Sequence, residues 1–428
     1  MRTGSFNPDS VNVFYDWMKQ VDPDRDTVAV VMNRQSMSYL RDSKLPVICS
    51  DIYYFSDDNS IQLPAPRKVS QQEFTNALYS YGTAAELYGK HTWFMGQMFG
   101  DIWGRHWFNG KKMVVYPGSY LHWRMPTEAE SCWQIWEALR LGTKGVFFFV
   151  LYPPIPLTIP PEKAVERRDL NRIKAMDKAA AIAASWKKQK LVSEVIEVDP
   201  GEGMLLPGGK PTPQMTATMP VMRSIRANEQ LLVNRRTADF PVFFSGDALT
   251  DTATFVSGSR WIGIIVNRDL DNARNAVILL PENVAEVTDL GSKKKLEITP
   301  ADEGFQRITL PLAAGNGALL GLSNPKTSEL TFSKNLSRSK NGTTYCLVRG
   351  KLKNAAVKAA PTFRNGEQSN IWHLRIVKAG KLENLNGKVI QDRGFYRPVV
   401  VPHDTAALEF YLGKGDYIED ITVWFVPR

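Results

Sequence analysis

The run GVFFFVLY, residues 145–152, is the most apolar stretch of this chain of 428 residues. Three shorter runs precede it: TVAVVM at 27–32, PVICSD at 46–51 and WFMGQMF at 93–99. Continuous apolar runs of strand length, without polar alternation, are typical of parallel strands that are buried on both faces. These four runs therefore predict a parallel sheet within the first 190 residues.

Helical segments are predicted between and after these strands. Ser70–Glu73 and Thr127–Glu130 both fit the capping box, in which a hydroxyl and a glutamate satisfy the free amides of a helix start. An alanine-rich helix is predicted over 162–186. Strand, loop and helix repeated in series predict an α/β domain with a parallel sheet.

The pattern changes near Leu191 to short strands separated by Gly, Asn, Asp and Pro turns. Such spacing is typical of an antiparallel β-sandwich. We therefore predict three domains: an α/β domain over 1–190, a β-sandwich over 191–325 and a second β-sandwich over 326–428. The predicted strands are 242–244, 253–256, 261–267, 276–280, 285–289, 306–310 and 317–322 in the first sandwich and 344–348, 371–377, 396–401, 407–412 and 421–425 in the second.

Composition excludes several classes of function. The net charge is +9, from 53 basic and 44 acidic residues, but the basic residues do not cluster, so we expect no nucleic-acid partner. No apolar run approaches the ~18 residues of a membrane span. The 3 cysteines and 5 histidines lack metal-ligand spacing, and no nucleotide-binding glycine motif follows a strand. We expect no metal and no cofactor.

Four segments of the chain are informative because of the order in which they follow one another. Residues 15–25 read YDWMKQVDPDR, residues 51–55 read DIYYF, residues 93–99 read WFMGQMF, and residues 126–152 run from Pro-Thr-Glu to GVFFFVLY. In this order they resemble strands five to eight of (β/α)8-barrel glycoside hydrolases of the broad β-galactosidase-like kind. Tyr54 stands where the family pattern has proline. The resemblance covers roughly residues 10–320.

The resemblance implies a fold class of α/β plus all-β: a partial TIM (β/α)8 barrel followed by two antiparallel β-sandwich domains. A complete barrel has eight strands and ~250 residues. The remaining strands would come from a missing N-terminal half or from a self-associated copy. The implied function is glycoside hydrolysis on a polysaccharide or oligosaccharide, with this chain as the C-terminal part of a longer enzyme. A carbohydrate ligand is the expected partner.

Candidate site residues lie at the predicted carboxyl ends of the strands, where barrel enzymes place their active sites. Asp51 and Asp101 are the catalytic candidates, since glycosidases use two carboxyl groups. The resemblance places the nucleophile of retaining enzymes on strand seven, where this chain has Gln97. A long insertion, 100–126, is rich in aromatic residues that can stack on sugar rings. The substrate-binding candidates are Tyr54, Gln97, Trp103, Trp107, Trp123, Arg124 and Tyr152.

Each candidate has a structural alternative. Gln97 could be a buried amide that joins neighbouring strands, Arg124 could anchor a loop, and the insertion could pack its own small core. Two other functions stay open: a non-catalytic carbohydrate-binding or surface protein on a degenerate barrel scaffold, and a doubly wound α/β domain with an unrelated activity. The second sandwich is also a candidate carbohydrate-binding module, with Trp372, Tyr396 and Trp424 as sugar platforms.

Location depends on the true start of the gene. A signal peptide upstream of Met1 would indicate a secreted or periplasmic protein. If Met1 is the true start, the polar segment that follows it favours the cytoplasm.

Overall fold

The computed structural model describes residues 7–32, 35–55, 71–151, 159–187, 190–199, 203–206, 208–238, 242–245, 247, 249–281, 284–301 and 305–323, and the backbone of eight strands after residue 330. Ser70 of the first predicted capping box lies outside these residues. No helix within them is long and apolar enough to cross a membrane.

The first elements are α1 (Pro8–Val21), β1 (Val28–Met32), α2 (Ser36–Asp42), β2 (Val47–Asp51), α3 (Gln71–Leu87), β3 (His91–Gln97), β4 (Asp101–Trp103), β5 (His106–Phe108), β6 (Met113–Val115), β7 (Tyr120–Trp123), α4 (Glu128–Arg140), β8 (Gly145–Phe149), α5 (Arg167–Lys187) and β9 (Ile196–Val198).

The four predicted apolar runs form one parallel sheet in the order β1-β2-β3-β8. Helices α2, α3 and α4 contribute to the same apolar core as the sheet, through side chains such as Leu40, Phe74 and Trp133. A doubly wound sheet reverses its strand order and carries helices on both faces. The order here has no reversal, so the doubly wound alternative is wrong for the described residues.

The face of the sheet opposite these helices, which we call the open face, carries exposed apolar side chains. Val30 and Met32 of β1 are 54% and 53% exposed, and Phe147 and Phe149 of β8 are 46% and 43% exposed. Side chains alternate between the faces of a strand, which explains why Val31 is buried while both of its neighbours are exposed. The described strands thus form an open, half-covered sheet, as a partial barrel would, and no closed barrel is present among them.

Helix α4 begins at the predicted capping box. The Thr127 hydroxyl accepts the amide of Glu130, and the Glu130 carboxylate accepts the amide of Thr127. Every residue from Glu130 to Arg140 is buried. This burial arises because α4 lies between the parallel sheet and a strand layer of the next region.

That next region contains two helices, α6 and α7, that were not predicted from the sequence. Its elements are α6 (Pro213–Ala227), α7 (Glu229–Val233), β10 (Arg236–Thr237), β11 (Phe244–Ser245), β12 (Thr250–Ser257), β13 (Arg260–Asn267), β14 (Arg274–Pro281), β15 (Thr288–Asp289), β16 (Lys294–Lys295), β17 (Thr299–Pro300), β18 (Phe305–Leu312) and β19 (Gly317–Ser323). The Thr212 hydroxyl caps α6 by accepting the amide of Met215, and Pro213 occupies the first turn.

The strands of this region form two antiparallel sheets, as predicted. The sheet β10-β12-β13-β19-β15-β16 faces the sheet β11-β14-β18-β17 across an apolar core that includes Ile265, Ile278 and Ile308. The other face of the first sheet, with Ile262 and Ile264, belongs to the core around α4. Strand β13 is therefore buried on both faces, which accounts for its continuous apolar run.

The final region is also antiparallel. It comprises β20 (Leu330–Arg338), β21 (Thr344–Leu352), β22 (Ile371–Ile376), β23 (Leu382–Glu383), β24 (Val389–Gln391), β25 (Tyr396–Val400), β26 (Ala407–Leu412) and β27 (Ile421–Trp424), arranged as β20-β21-β26-β23-β24 and β25-β22-β27. The side chains of Trp372, Tyr396 and Trp424 lie outside the described part of the structure.

Candidate functional site

The carboxyl ends of the parallel strands bring two of the predicted residues to one face. Asp51 is in register with Met32 on one side and Met95 on the other, and Met95 is in register with the exposed Phe147. Gln97 follows Met95 by two residues and therefore points to the same side. Asp51 and Gln97 both belong to the open face.

Gln97 is fully buried, and main-chain groups occupy its side-chain amide. Its Nε2 donates to the carbonyl oxygens of Arg124, at 2.7 Å, and Phe55, at 3.1 Å. Its Oε1 accepts the amide of Phe55 at 3.1 Å. The side chain of Gln134 in α4 bonds both main-chain groups of Gln97. This arrangement ties three segments together and engages both polar atoms of the Gln97 side chain with main-chain groups.

An aromatic cluster lies beside Asp51 and consists of Tyr53, Phe99, Trp123 and Phe149. The Tyr53 ring centroid is 5.0 Å from that of Phe99, 5.9 Å from that of Trp123 and 6.3 Å from that of Phe149. Of these four residues, only Trp123 was predicted from the sequence as a substrate-binding residue. Tyr53 and Phe99 could have been found by their spacing, because each follows a predicted site residue, Asp51 or Gln97, by two residues.

Asp51 is bound to the cluster through Tyr53, whose hydroxyl donates to the Asp51 carboxylate. Oxygen Oδ1 of Asp51 is buried and has no hydrogen-bond donor among the described residues. Burial raises the pKa of Asp51 because it disfavours the ionised form, while the bond from Tyr53 opposes this shift.

Asp101 lies in the first strand of the insertion, paired in register with Trp123. Its Oδ2 accepts the indole N–H of Trp103 at 2.6 Å. Burial raises the pKa of Asp101 to about 6, against the opposing bonds from Trp103 and from the amide of Ile102. Because Trp123 contacts Tyr53 and pairs with Asp101, it connects the surroundings of the two predicted catalytic carboxyl groups.

The other aromatic candidates of the insertion lie in its own packing. Trp103 stacks on His122 with centroids 4.2 Å apart, and Nδ1 of His122 lies 2.7 Å from the hydroxyl of Tyr120. Tyr120 is buried against alanines of α5. Trp107 belongs to a separate small cluster with Ala164 and Ile173. The structure therefore does not bring Trp107 to the aromatic cluster.

Two further predicted residues are placed elsewhere. Arg124 forms a two-pronged ion pair with Glu130, with both N–O distances at 2.7 Å, which anchors the loop before α4. The Tyr54 ring packs edge-on against Phe74 in the core on the helix side, with centroids 5.9 Å apart. Tyr152 lies outside the described residues. No group of three or more candidate metal ligands occurs within the described part of the chain.

No protein-family model matches the sequence, and no curated protein is significantly similar to it. Among solved structures, a γ-CGTase from alkalophilic Bacillus clarkii is 8% identical, with 95% of this chain and 55% of that chain covered and a TM-score of 0.32. A GH27 β-L-arabinopyranosidase from Geobacillus stearothermophilus is 9% identical, with 69% and 62% covered and a TM-score of 0.22. BuGH86 in complex with neoagarooctaose is 10% identical, with 98% and 68% covered and a TM-score of 0.27. The chain thus spans between about half and two thirds of these proteins, at TM-scores below those of a shared fold.

Proposed function

We propose that this chain is a glycoside hydrolase-like protein that acts on a polysaccharide or oligosaccharide, as part of a longer or assembled enzyme. The observation that carries the proposal is the aromatic cluster at the carboxyl ends of the parallel strands, with Asp51 beside it and Asp101 in strand register with Trp123 of the cluster. Active sites of parallel α/β folds lie at this end of the sheet.

The aromatic cluster has the chemistry of a sugar platform. A pyranose presents an apolar C–H face that stacks on an aromatic ring. Phe149 is 43% exposed, and Tyr53 and Trp123 are half-buried, so parts of the cluster are open to a ligand. The Tyr53 hydroxyl, which donates to Asp51, adds a polar group at the edge of the rings.

The two carboxyl groups suit acid–base catalysis. A general acid must carry its proton at the working pH. Because burial raises the pKa of Asp101 to about 6, its carboxyl group stays protonated in weakly acidic solution. Asp51 would then act as the base that activates water in an inverting mechanism. Such a pair needs a separation of ~6.5–9.5 Å across the bound sugar.

The second candidate function is carbohydrate binding without catalysis. It is favoured by Gln97, which occupies the position of the family nucleophile. A retaining mechanism needs a carboxylate at that position. The Gln97 amide is also fully engaged by main-chain groups, so it serves the architecture of the strand ends.

The open face supports the partner proposed from the sequence. Exposed Val30, Met32 and Phe147 would be covered by the other half of a barrel or by a second copy of this chain. Sedimentation velocity over a range of protein concentrations tests the second copy. The variant Phe147→Asp should weaken association if copies meet through this face, whereas an unchanged sedimentation profile would leave only a separate half barrel as the cover.

Activity is tested with starch, arabinan, galactan and agar-derived oligosaccharides, by affinity electrophoresis for binding and by release of reducing ends for hydrolysis. Trp123→Ala should weaken binding, and Asp101→Asn should abolish hydrolysis while it leaves binding in place. Trp186→Ala, on an 80% exposed tryptophan of α5, is the matched control. Binding without hydrolysis would favour the second candidate. If the chain neither binds nor hydrolyses any of these carbohydrates, the proposal is refuted.

A further inference from the structure

A cavity of about 420 Å³ lies at the amino ends of β3 and β8, opposite the aromatic cluster. Its walls come from the ends of α3 and α4, the starts of β3 and β8, the segment after α7, and β12. Since β3 spans 7 residues, the cavity is ~20 Å along the strands from the aromatic cluster. It is therefore separate from the proposed sugar site. We call it the cationic cavity.

The cationic cavity is named for the charges on its walls. Five cationic side chains and one carboxylate, that of Glu86, line it. The carboxylate of Glu86 is already engaged, because it accepts the amide and the hydroxyl of Thr237. The five cations are Lys90, Arg140, Lys144, Arg235 and Arg236.

Two of these cations form no ion pair at contact distance, although Glu86 on the same wall interacts with both at longer range. Arg235 is buried, and its guanidinium donates to the main-chain carbonyls of Leu232, Leu139 and Thr143. Lys144 donates to the carbonyl of Arg235 itself. Neither cation forms an ion pair with any described carboxylate, whereas Arg140, on the same wall, is paired with Glu137. Burying cations without a counter-charge in contact is costly, so this arrangement favours an anion from outside the chain.

Orphaned polar atoms support the same interpretation. Nε of Arg235 and the hydroxyl oxygens of Thr92 and Thr143 are buried and have no hydrogen-bond partner among the described residues. Thr92 lines the cavity, and Thr143 precedes Lys144 in the chain. The Arg235 N–H and the Thr92 hydroxyl, both on residues that line the cavity, are suitable partners for the oxygens of an oxyanion.

The cavity also has apolar walls. Phe255 lies under the Arg235 guanidinium, with 5.0 Å from Cζ to the ring centroid, and Phe243, Leu141 and Ala85 line other parts. The volume is within the ~300–1,000 Å³ range of small-molecule pockets. We propose that the cationic cavity binds a small organic oxyanion, a phosphate or carboxylate compound, with its charged group beside Lys144 and Arg235 and its apolar part against Phe255.

The charge state of Lys144 provides a readout. Burial, together with the adjacent Arg235 charge, lowers the pKa of Lys144 to about 7, while Glu86 opposes the shift. A bound oxyanion would restore the positive charge of the lysine and shield it. Lys144 should therefore become less nucleophilic when the cavity is occupied.

Two measurements on the full chain test the proposal. In the first, inorganic phosphate and citrate are titrated separately by calorimetry at constant ionic strength, with sodium chloride as the reference. We expect binding of at least one of them, weakened about tenfold to a hundredfold by Lys144→Gln, since one charge-assisted hydrogen bond is lost. Lys44→Gln, on an exposed lysine paired with Asp16, is the control and should bind as the original chain does.

The second measurement needs no variant. The chain is labelled with acetic anhydride at pH 7.5, and modification of Lys144 and Lys44 is compared by peptide mass spectrometry. Phosphate or citrate should protect Lys144 and not Lys44, and the anion that protects identifies the head group. Absence of binding by both anions, equal binding by Lys144→Gln, or equal protection of both lysines would each overturn the proposal.

Discussion

Replacing Asp101 with asparagine should stabilise the protein at pH 7.5 and change its stability much less at pH 4. The pKa of Asp101 is raised from 3.8 to about 6 by burial, so the folded state binds this proton more tightly than the unfolded state does. The unfolded chain therefore loses the proton first as the pH rises. The contribution of Asp101 to stability falls between pH 3.8 and about 6 and stays low above that range.

The size of the effect follows from the shift. About two pKa units at 1.36 kcal/mol each give about 3 kcal/mol at pH 7.5, as an upper limit because Asp101 is only partly buried. Asparagine keeps an oxygen that can accept the indole N–H of Trp103, so the hydrogen bond of 2.6 Å is conserved. The gain therefore comes from removal of the buried charge.

The assay is urea denaturation of the original chain and of Asp101→Asn at pH 7.5 and pH 4. Asp24→Asn, on an exposed aspartate, controls for the loss of one surface charge. The midpoint of Asp101→Asn should exceed that of the original chain at pH 7.5, and the difference should shrink at pH 4. A loss of stability at pH 7.5, or the same difference at both pH values, would refute the reasoning.

Three further substitutions test the architecture of the site by urea denaturation at pH 7.5. Gln97→Glu should lower the free energy of unfolding by about 1–3 kcal/mol, because a carboxylate would face two main-chain carbonyl oxygens. Unchanged stability would contradict the role of Gln97 as a buried amide that joins strands. Glu130→Ala should lower the free energy of unfolding by about 3–5 kcal/mol, because it leaves Arg124 unpaired and removes half of a capping box. A decrease below about 1 kcal/mol, which is typical of an exposed ion pair, would contradict the burial of this pair. Gly82→Ala should destabilise by more than about 1 kcal/mol, because a Cβ would overlap the carbonyl oxygen of Leu141; a neutral result would show that α3 and α4 are farther apart.

Much of the fold could be predicted from local patterns. The parallel strands were predicted because their apolar runs are continuous, which is a property of the sequence alone. The start of α4 followed from the spacing of Thr127 and Glu130. Helix α6 was missed although Thr212 and Pro213 form a helix-start signal, because the surrounding turn residues favoured strands.

The candidate site was only partly predictable. Asp51, Asp101 and Trp123 were selected because the ends of parallel strands share one edge of the sheet. Tyr53 and Phe149 were not selected, because a strand aromatic could equally belong to the core. The cationic cavity had no sequence signal, since Lys144 and Arg235 are 91 positions apart and meet only when the segment after α7 lies against the end of α4.

The sequence by itself determined the parallel sheet, the capped helix α4 and the antiparallel character of the C-terminal half, because hydrophobic periodicity and cap chemistry act over a few residues. Only the tertiary structure decided which face of the sheet is covered and what the polar residues do there. Gln97, Arg124 and Arg235 illustrate this point, since the partner that defines each role comes from a different segment of the chain. Burial and charge pairing depend on such long-range contacts, and composition and spacing do not encode them locally.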